Sequence, residues 1–267
     1  MFLQSNIIIS FSAGLLTFGV ASFCQNKQAL LLGLFMLFST LCIYNALRII
    51  KFFVNPSSPQ AISNRRYNKV YYIFGLAGLI GVLLCFFKLT LSGEMWFWLG
   101  LATLISVFYV IPIFPMNGVK VALRDLPGIK IILIASSWSL LCFYLPAMES
   151  GQKGFFFLLG FIYIISVTIP FDIRDLPFDN PIQKTIPQLF GWEIARSISV
   201  ILSALFFVLL ASEFPEFYFR WYFWGIALLH LFILSIVNPK RSQNYYGFFV
   251  DGAISLVGFL FLLESSQ

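Results

Sequence analysis

Long apolar runs alternate with short polar segments along the whole chain. The runs lie at about 7–23, 29–50, 70–87, 94–112, 129–146, 154–170, 193–210, 217–237 and 245–263. Each is close to the roughly 17–25 residues that an α-helix needs to cross a bilayer. Strict alternation in segments of about ten residues, typical of a transmembrane β-barrel, is absent. The pattern predicts an all-α polytopic membrane protein with nine transmembrane helices, forming a single domain over residues 1–267.

The composition supports a membrane protein and argues against a soluble one. Hydrophobic residues make up 60% of the chain and charged residues 10%, with a mean hydropathy of +0.90. Soluble domains carry about 25% charged residues. The formal charge of +6 could suggest nucleic acid, but the basic residues lie between the apolar runs. Orientation in the membrane explains them better, so no nucleic-acid partner is expected.

The distribution of the basic residues predicts which way the chain crosses the membrane. Thirteen of the 17 lysines and arginines lie at the polar segments that follow the second, fourth, sixth and eighth runs. Cytoplasmic loops carry such an excess, so the N-terminus is predicted to be cytoplasmic. We expect an integral, multi-pass protein, located in the plasma (inner) membrane if the source is bacterial.

An acidic segment follows the sixth run, at Ile169–Pro181. It holds three of the chain's 11 acidic residues, Asp172, Asp175 and Asp179. Spacings of three and seven place carboxylates on one face of a helix, although Pro177 favours an end or a kink of the helix near residues 173–176. Such carboxylates suit Mg²⁺, which also binds phosphate oxygens. The alternative is an acidic turn that pairs with Arg174 and with neighbouring basic loops.

Two cationic connections are predicted at the same membrane face. The connection after the second run and its borders hold Arg48, Lys51, Arg65, Arg66 and Lys69. These residues are interpreted either as a topology signal at anionic lipid headgroups or as an anion site, for instance for a diphosphate. The connection after the fourth run adds Lys120, Arg124 and Lys130.

Three polar residues that lie within the last three apolar runs need partners there. Asp251 is expected to lie about two turns inside the membrane, where an unpaired charge is costly. Arg196 lies at a comparable depth, so an Asp251–Arg196 pair is predicted, with a local Glu193–Arg196 pair as the alternative. His230, the single histidine, is interpreted as a buried, hydrogen-bonded helix residue.

The acidic segment also resembles a known motif. Asp172-Ile-Arg-Asp175-Leu-Pro-Phe-Asp179, followed by Thr185-Ile-Pro187 and Gly191, is similar to the second Asp-rich motif of the UbiA superfamily of intramembrane prenyltransferases. The resemblance covers nearly the whole chain, including a tyrosine and a basic residue at Tyr109 and Lys120. It implies a UbiA-like helical bundle with an isoprenyl diphosphate bound at a cytoplasmic mouth.

The family's activity implies roles for individual residues. Asp172, Asp175 and Asp179 would hold Mg²⁺, while the diphosphate would be bound by Lys120, Arg124, Arg48 and Lys51. A lipophilic acceptor would then attack the first carbon of the prenyl chain. The acceptor, the chain length and the pathway are not specified by the residues.

The first Asp-rich motif of the family is degenerate in this chain. In the segment Asn45–Phe53 only Asn45 matches, and the positions of the three carboxylates are occupied by Ala46, Ile49 and Phe53. Fixed positive charge from Arg48, Lys51, Arg65 and Arg66 is a hypothetical substitute for the lost metal ligands. Two functions therefore remain open: prenyl transfer from a bound isoprenyl diphosphate, and a catalytically inactive UbiA-fold protein that acts as a lipid-binding or assembly partner.

Overall fold

The computed structural model describes most of the chain. The described residues are 6–54, 68–111, 114–116, 119–123, 126–179 and 183–266. Their side chains are described except at 51–54, 68, 110, 114–116 and 119–121.

Ten helices and one short β ladder make up the described part. The helices are α1 (Ile7–Phe23), α2 (Ala29–Val54), α3 (Asn68–Phe86), α4 (Gly93–Val110), α5 (Ile129–Tyr144), α6 (Lys153–Asp175), α7 (Ile186–Phe190), α8 (Trp192–Glu213), α9 (Trp221–Ser235) and α10 (Gln243–Ser265). The last turn of α5 and the segment Tyr246–Val250 of α10 are π-helical. Strands β1 (Phe114–Met116) and β2 (Val119–Val121) pair antiparallel.

The helices confirm a multi-pass membrane protein. Among the described residues, five helices are long and apolar enough to cross a membrane: α2, α3, α6, α8 and α10. The apolar helices α1, α4, α5 and α9 are shorter. Each of the nine apolar helices lies at one of the predicted runs, while nine crossings and a cytoplasmic N-terminus stay predictions.

The helices pack in one continuous order in which the first and the last helix, α1 and α10, are neighbours. Starting at α4, the order of neighbours is α5, α6, α8, α9, α10, α1 and α2, and α3 packs on α2. A β-carbon added to Gly19 of α1 would overlap the backbone of Gly258 in α10, and one added to Gly258 would lie 2.6 Å from the backbone oxygen of Leu15. The two helices therefore touch backbone to backbone, which only glycine permits.

The segments around the end of α6 are tied together by main-chain contacts. Asp175 is the last helical residue, and its carbonyl accepts hydrogen bonds from the amides of Phe178 and Asp179. This end agrees with the one predicted from Pro177. Just before α5, Gly128 has a φ of 70°, which favours glycine. Its amide donates to the carbonyl of Gln183, 2.9 Å away, and so the start of α5 is joined to the segment after α6.

Candidate functional site

Lys130 joins two of the three predicted metal-binding carboxylates. It lies in the first turn of α5, two residues after the Gly128 contact. Its Nζ is 2.7 Å from Oδ1 of Asp172 and 3.2 Å from Oδ2 of Asp179. The Asp172 side chain is only 2% exposed, whereas that of Lys130 is 17% exposed. A buried carboxylate is costly without a counter-ion, so Lys130 stabilises the charged form of Asp172.

The third carboxylate of the acidic segment has a different partner. Both oxygens of Asp175 accept hydrogen bonds from Arg174, at 2.7 Å from Nε and 2.8 Å from Nη2. The guanidinium carbon of Arg174 also lies 5.0 Å from the ring centre of Phe171 and 5.8 Å from that of Tyr246. Two aromatic faces and a bidentate pair hold the guanidinium in one place.

Arg48 brings α2 into the same site. It lies close enough to Arg174, Asp175 and Tyr44 for electrostatic interaction with each. The end of α2, predicted to supply fixed positive charge, thus meets the end of α6. The positive charges of Arg48 and Arg174 repel each other, and Asp175, which interacts with both, offsets part of this repulsion.

The predicted partner of Asp251 is wrong. The charged side chain that interacts electrostatically with Asp251 is Arg174, not Arg196, whose guanidinium carbon lies 5.1 Å from the ring centre of Trp192. Depth in the membrane was the ground for the Arg196 pairing, and depth alone does not identify the neighbouring helix. His230 is fully buried, with Nδ1 3.2 Å from the carbonyl oxygen of Ala253, which confirms its structural interpretation.

A cavity of about 160 Å³ lies between α2, α4 and α5. Most of its lining is apolar, and six hydroxyl-bearing residues also face it: Ser39, Thr40, Tyr44, Ser106, Tyr109 and Ser137. Along α2 the lining runs from Met36 to Leu47, about 16 Å at 1.5 Å per residue. Leu47 precedes Arg48 in the sequence, and Leu133 lies one turn after Lys130. One end of the cavity therefore lies next to the charged residues described above. We call this group of residues the mouth: Arg48, Lys130, Asp172, Arg174, Asp175 and Asp179.

The other predicted site residues fall into two groups. Asn45 is fully buried: its Nδ2 donates to the carbonyl of Leu41, and its Oδ1 accepts from Asn6. These contacts link Asn6, which precedes α1, to α2, and the role of Asn45 in the residual first motif stays a prediction. The side chains of Lys51 and Lys120, together with Arg124, Arg65 and Arg66, lie outside the described residues. The phosphate-binding roles given to them stay predictions.

The described residues do not provide a ready metal site. Within the described ranges, no three His, Cys, Asp or Glu side chains come together as metal ligands. Lys130 lies between Asp172 and Asp179, and Arg174 engages both oxygens of Asp175. On α2, Ala46 and Ile49 offer no ligand oxygen from their side chains. Mg²⁺ takes oxygen ligands, and the carboxylate oxygens of these residues are already paired with Lys130 and Arg174. The described residues therefore do not fit Mg²⁺.

Two features of the site were missed in the sequence. Pairing of the acidic segment with a neighbouring basic connection is the alternative given above, but nothing in a single sequence identifies Lys130 as the partner of Asp172, which lies on another helix. The hydroxyl groups along the cavity are spread over three helices and form no motif. The Arg174–Asp175 contact was anticipated, since it is the alternative given for the acidic segment.

Comparison with known proteins yields a likeness in structure and none in sequence. No protein-family model matches the chain, and no curated protein matches it. A solved structure of digeranylgeranylglyceryl phosphate synthase in membranes is similar over 98% of this chain and 97% of that chain, with 13% identity and a TM-score of 0.56. A UbiA homolog from Archaeoglobus fulgidus, bound to GPP and Mg²⁺, is similar over 97% and 96%, with 18% identity and a TM-score of 0.54.

These likenesses cover both chains almost completely, so they concern the whole helical bundle and not a shared fragment. At such low identity they establish the fold and leave the activity to the residues of the site. The resemblance first suggested by the acidic segment is confirmed at this level: the chain is a multi-pass membrane protein with the fold of the UbiA superfamily.

Proposed function

We propose that the protein binds an isoprenyl diphosphate, with the diphosphate at the mouth and the prenyl chain in the cavity, and transfers the prenyl group to a lipophilic acceptor. The observation that carries this proposal is the position of the cavity. It is a largely apolar space whose lining ends on α2 at Leu47, the residue before Arg48, and on α5 at Leu133, one turn from Lys130. A ligand with a long apolar chain and an anionic head matches that division. The solved UbiA homolog binds a ligand of this kind, GPP.

The diphosphate would be bound chiefly by Arg48. It is the cation of the mouth for which no ion pair with a carboxylate is observed among the described residues, although Asp175 lies within electrostatic range. A guanidinium group suits phosphate oxygens because it donates two parallel hydrogen bonds. Three further diphosphate ligands are proposed from their positions in the sequence: Lys51, three residues after Arg48, and Lys120 and Arg124, which precede Lys130.

The prenyl chain would lie along the cavity from Leu47 towards Met36. A second, smaller cavity of about 20 Å³ shares Met36 and Leu141 with the first and is lined by apolar side chains such as Leu89 and Met95. The two together offer an apolar path away from the mouth. Burial of the chain there removes apolar surface from water and supplies affinity that does not depend on the head group.

In the proposed transfer, the bond between the first prenyl carbon and the diphosphate oxygen breaks while the acceptor forms a bond to that carbon. The diphosphate leaves as an anion, and the proton that the acceptor loses passes to the diphosphate or to water. Negative charge develops on the leaving diphosphate, and fixed cations at the mouth would stabilise it. Mg²⁺, predicted from the resemblance at Asp172, Asp175 and Asp179, takes no part in this proposal, because those carboxylates are paired with cationic side chains.

A second candidate function is binding without transfer. It is favoured by the lost carboxylates at Ala46 and Ile49 and by the involvement of Asn45 in helix packing. In this case the protein would be a lipid-binding or assembly partner with the same ligand site. The two candidates agree on binding and differ only in turnover.

One experiment separates them. Purified protein in lipid nanodiscs is mixed with radiolabelled geranyl diphosphate, and the bound ligand is measured. A panel of lipophilic acceptors is then added to the nanodiscs, and labelled product is measured. Binding with a labelled product that is lost in Arg48→Ala, the variant that removes the proposed diphosphate ligand, supports transfer. Binding without product on any acceptor supports the second candidate. Absence of binding, or equal binding by an Arg48→Ala/Lys51→Ala variant, would reject the proposed site.

A further inference from the structure

The acidic segment carries its own counter-ions. The ammonium group of Lys130 lies in the space between Asp172 and Asp179, within 2.7 Å of one carboxylate and 3.2 Å of the other. Mg²⁺ binds carboxylate oxygens at about 2.0–2.1 Å and would need the same space. The ammonium group and a metal ion bridging these two carboxylates therefore exclude each other.

The position of Lys130 is built into the fold. The hydrogen bond from Gly128 to Gln183 fixes the start of α5 against the segment after α6. Asp172 is 2% exposed, so removing the ammonium would leave a buried carboxylate without its counter-ion. A surface lysine that happened to touch an acidic loop would have neither feature.

Asp175 is likewise engaged on both oxygens. Arg174 is its immediate neighbour in the chain, and the aromatic rings of Phe171 and Tyr246 hold the guanidinium from other directions. A metal ion at Asp175 would have to displace a bidentate, partly enclosed pair. The facing helix α2 offers no carboxylate at Ala46 or Ile49 to compensate.

We propose that Lys130 and Arg174 are the permanent counter-ions of Asp172, Asp175 and Asp179, and that the site binds a diphosphate without a divalent metal at these carboxylates. The second half of this inference rests on the proposed function, since it assumes a diphosphate ligand. Arg48 is the cation proposed for the diphosphate where the first motif has lost its carboxylates, and Lys130 occupies the space of a metal between two carboxylates of the second.

Metal binding is tested first without any diphosphate. Mn²⁺, which favours the same oxygen ligands as Mg²⁺, is titrated into purified protein in nanodiscs and followed by electron paramagnetic resonance. The wild type should bind Mn²⁺ no more tightly than about 1 mM. Lys130→Met, which keeps the length of the side chain and removes its charge, should acquire a site and melt at a higher temperature when Mn²⁺ is added.

Lys153→Met is the matched control, because it also breaks a lysine–carboxylate pair of 2.7 Å, but at the other end of α6. It should acquire no Mn²⁺ site. Wild-type binding of Mn²⁺ well below 1 mM that is lost in Asp175→Asn would overturn the inference. A folded Lys130→Met protein that takes up no Mn²⁺ would overturn the role given to the ammonium group.

Diphosphate binding is then measured with geranyl diphosphate in EDTA and in excess Mg²⁺. The wild-type dissociation constant should differ by less than about twofold between the two conditions, whereas a tenfold or greater loss in EDTA would contradict metal-independent binding. If geranyl diphosphate does not bind in either condition, the proposed function fails. The Mn²⁺ titration still decides whether the carboxylates hold a metal, so the two failures are distinguishable.

Discussion

The two ends of α6 both carry charged pairs, but in opposite surroundings. At the start of the helix, Lys153 lies 2.7 Å from Glu94 of α4, and the two side chains are 36% and 49% exposed. At its other end, Asp172 lies equally close to Lys130 but is almost fully buried. The pairs have the same chemistry and the same distance between nitrogen and oxygen. They differ in their access to water.

Both ends also place charges against the helix macrodipole. A cation at the start of a helix and carboxylates at its end are each unfavourable. At the start, water and Glu94 offset the cost. At the end, Lys130 and Arg174 must do so within the protein, which ties α5 to α6 and leaves the cationic groups beside the cavity. Burial thus makes the Lys130–Asp172 pair part of the contact between α5 and α6 at the proposed ligand site, whereas the exposed Lys153–Glu94 pair lies in water.

The largest effect is expected from removing the buried lysine. Lys130→Met should lower the free energy of unfolding by about 3–5 kcal/mol, because it leaves Asp172 as an uncompensated buried charge. The measurement is reversible unfolding in mixed micelles, followed by circular dichroism. Lys153→Met is the control and should change stability little, since its partner is in water. Equal losses in the two variants would show that burial does not distinguish the two pairs.

A smaller effect is expected on ligand binding at the mouth. Arg48→Gln should weaken the binding of geranyl diphosphate by about 1.5–3 kcal/mol, the range for hydrogen bonds to charged groups. The variant removes the charge and keeps a polar side chain, and binding is measured by equilibrium dialysis.

The control for Arg48 is Lys88→Gln, which removes an exposed cation at the end of α3. Lys88 is two residues before Thr90, which exchanges hydrogen bonds with Gln28 just before the start of α2, whereas Arg48 lies towards the other end of α2. The Lys88→Gln variant should bind geranyl diphosphate with the same affinity as the wild type. If Arg48→Gln and Lys88→Gln lose affinity to the same extent, the effect comes from the net charge of the protein, and Arg48 does not bind the diphosphate specifically.

Filling the cavity should weaken the binding of the prenyl chain by about 1–3 kcal/mol, because the ligand must compete with a side chain for the same space. Ser137→Leu makes this test, since Ser137 lines the cavity and its hydroxyl bonds only to backbone oxygens of its own helix. Ser235→Leu is the control: its hydroxyl has a similar bond to Phe232, but it is exposed. Affinities for geranyl diphosphate are compared, and unchanged binding by Ser137→Leu would place the chain elsewhere.

The smallest effect concerns salt. At about 1 M NaCl the screening length falls to about 3 Å. Any difference in stability between the wild type and Lys153→Met should therefore vanish, whereas the difference for Lys130→Met should persist because Asp172 is shielded from the solvent. Chemical unfolding at low and high salt gives both differences. Loss of the Lys130 effect at high salt would indicate that water reaches Asp172 freely.

The helices could be predicted from the sequence because their apolar runs are local features. The end of α6 was predicted from Pro177 and lies at Asp175. The ninth helix is shorter than its apolar run at 217–237. Residues Pro215–Phe219 form a 3₁₀ turn, and α9 begins only at Trp221. Aromatic residues continue through the turn, so hydropathy alone could not show the break.

The site could be predicted only in part, for a related reason. Asp172, Asp175 and Asp179 stand close together in the sequence, and the contact of Arg174 with Asp175 is one between neighbours. The contact of Lys130 with Asp172 depends on how α5 packs against α6, which no local pattern encodes. The loss of carboxylates at Ala46 and Ile49 could be seen directly, but the burial of Asn45 could not.

The close contact between Gly19 and Gly258 bears on how the protein is made. The helix containing Gly258 is synthesised about 240 residues after the one containing Gly19. At about 5–20 residues per second, the interval is on the order of tens of seconds. During that time the glycine face of the first helix is covered by lipid or by the insertion machinery. The contact between α1 and α10 therefore forms only after α10 has been synthesised, and a nascent chain stalled before α10 would leave this face of α1 without its partner helix.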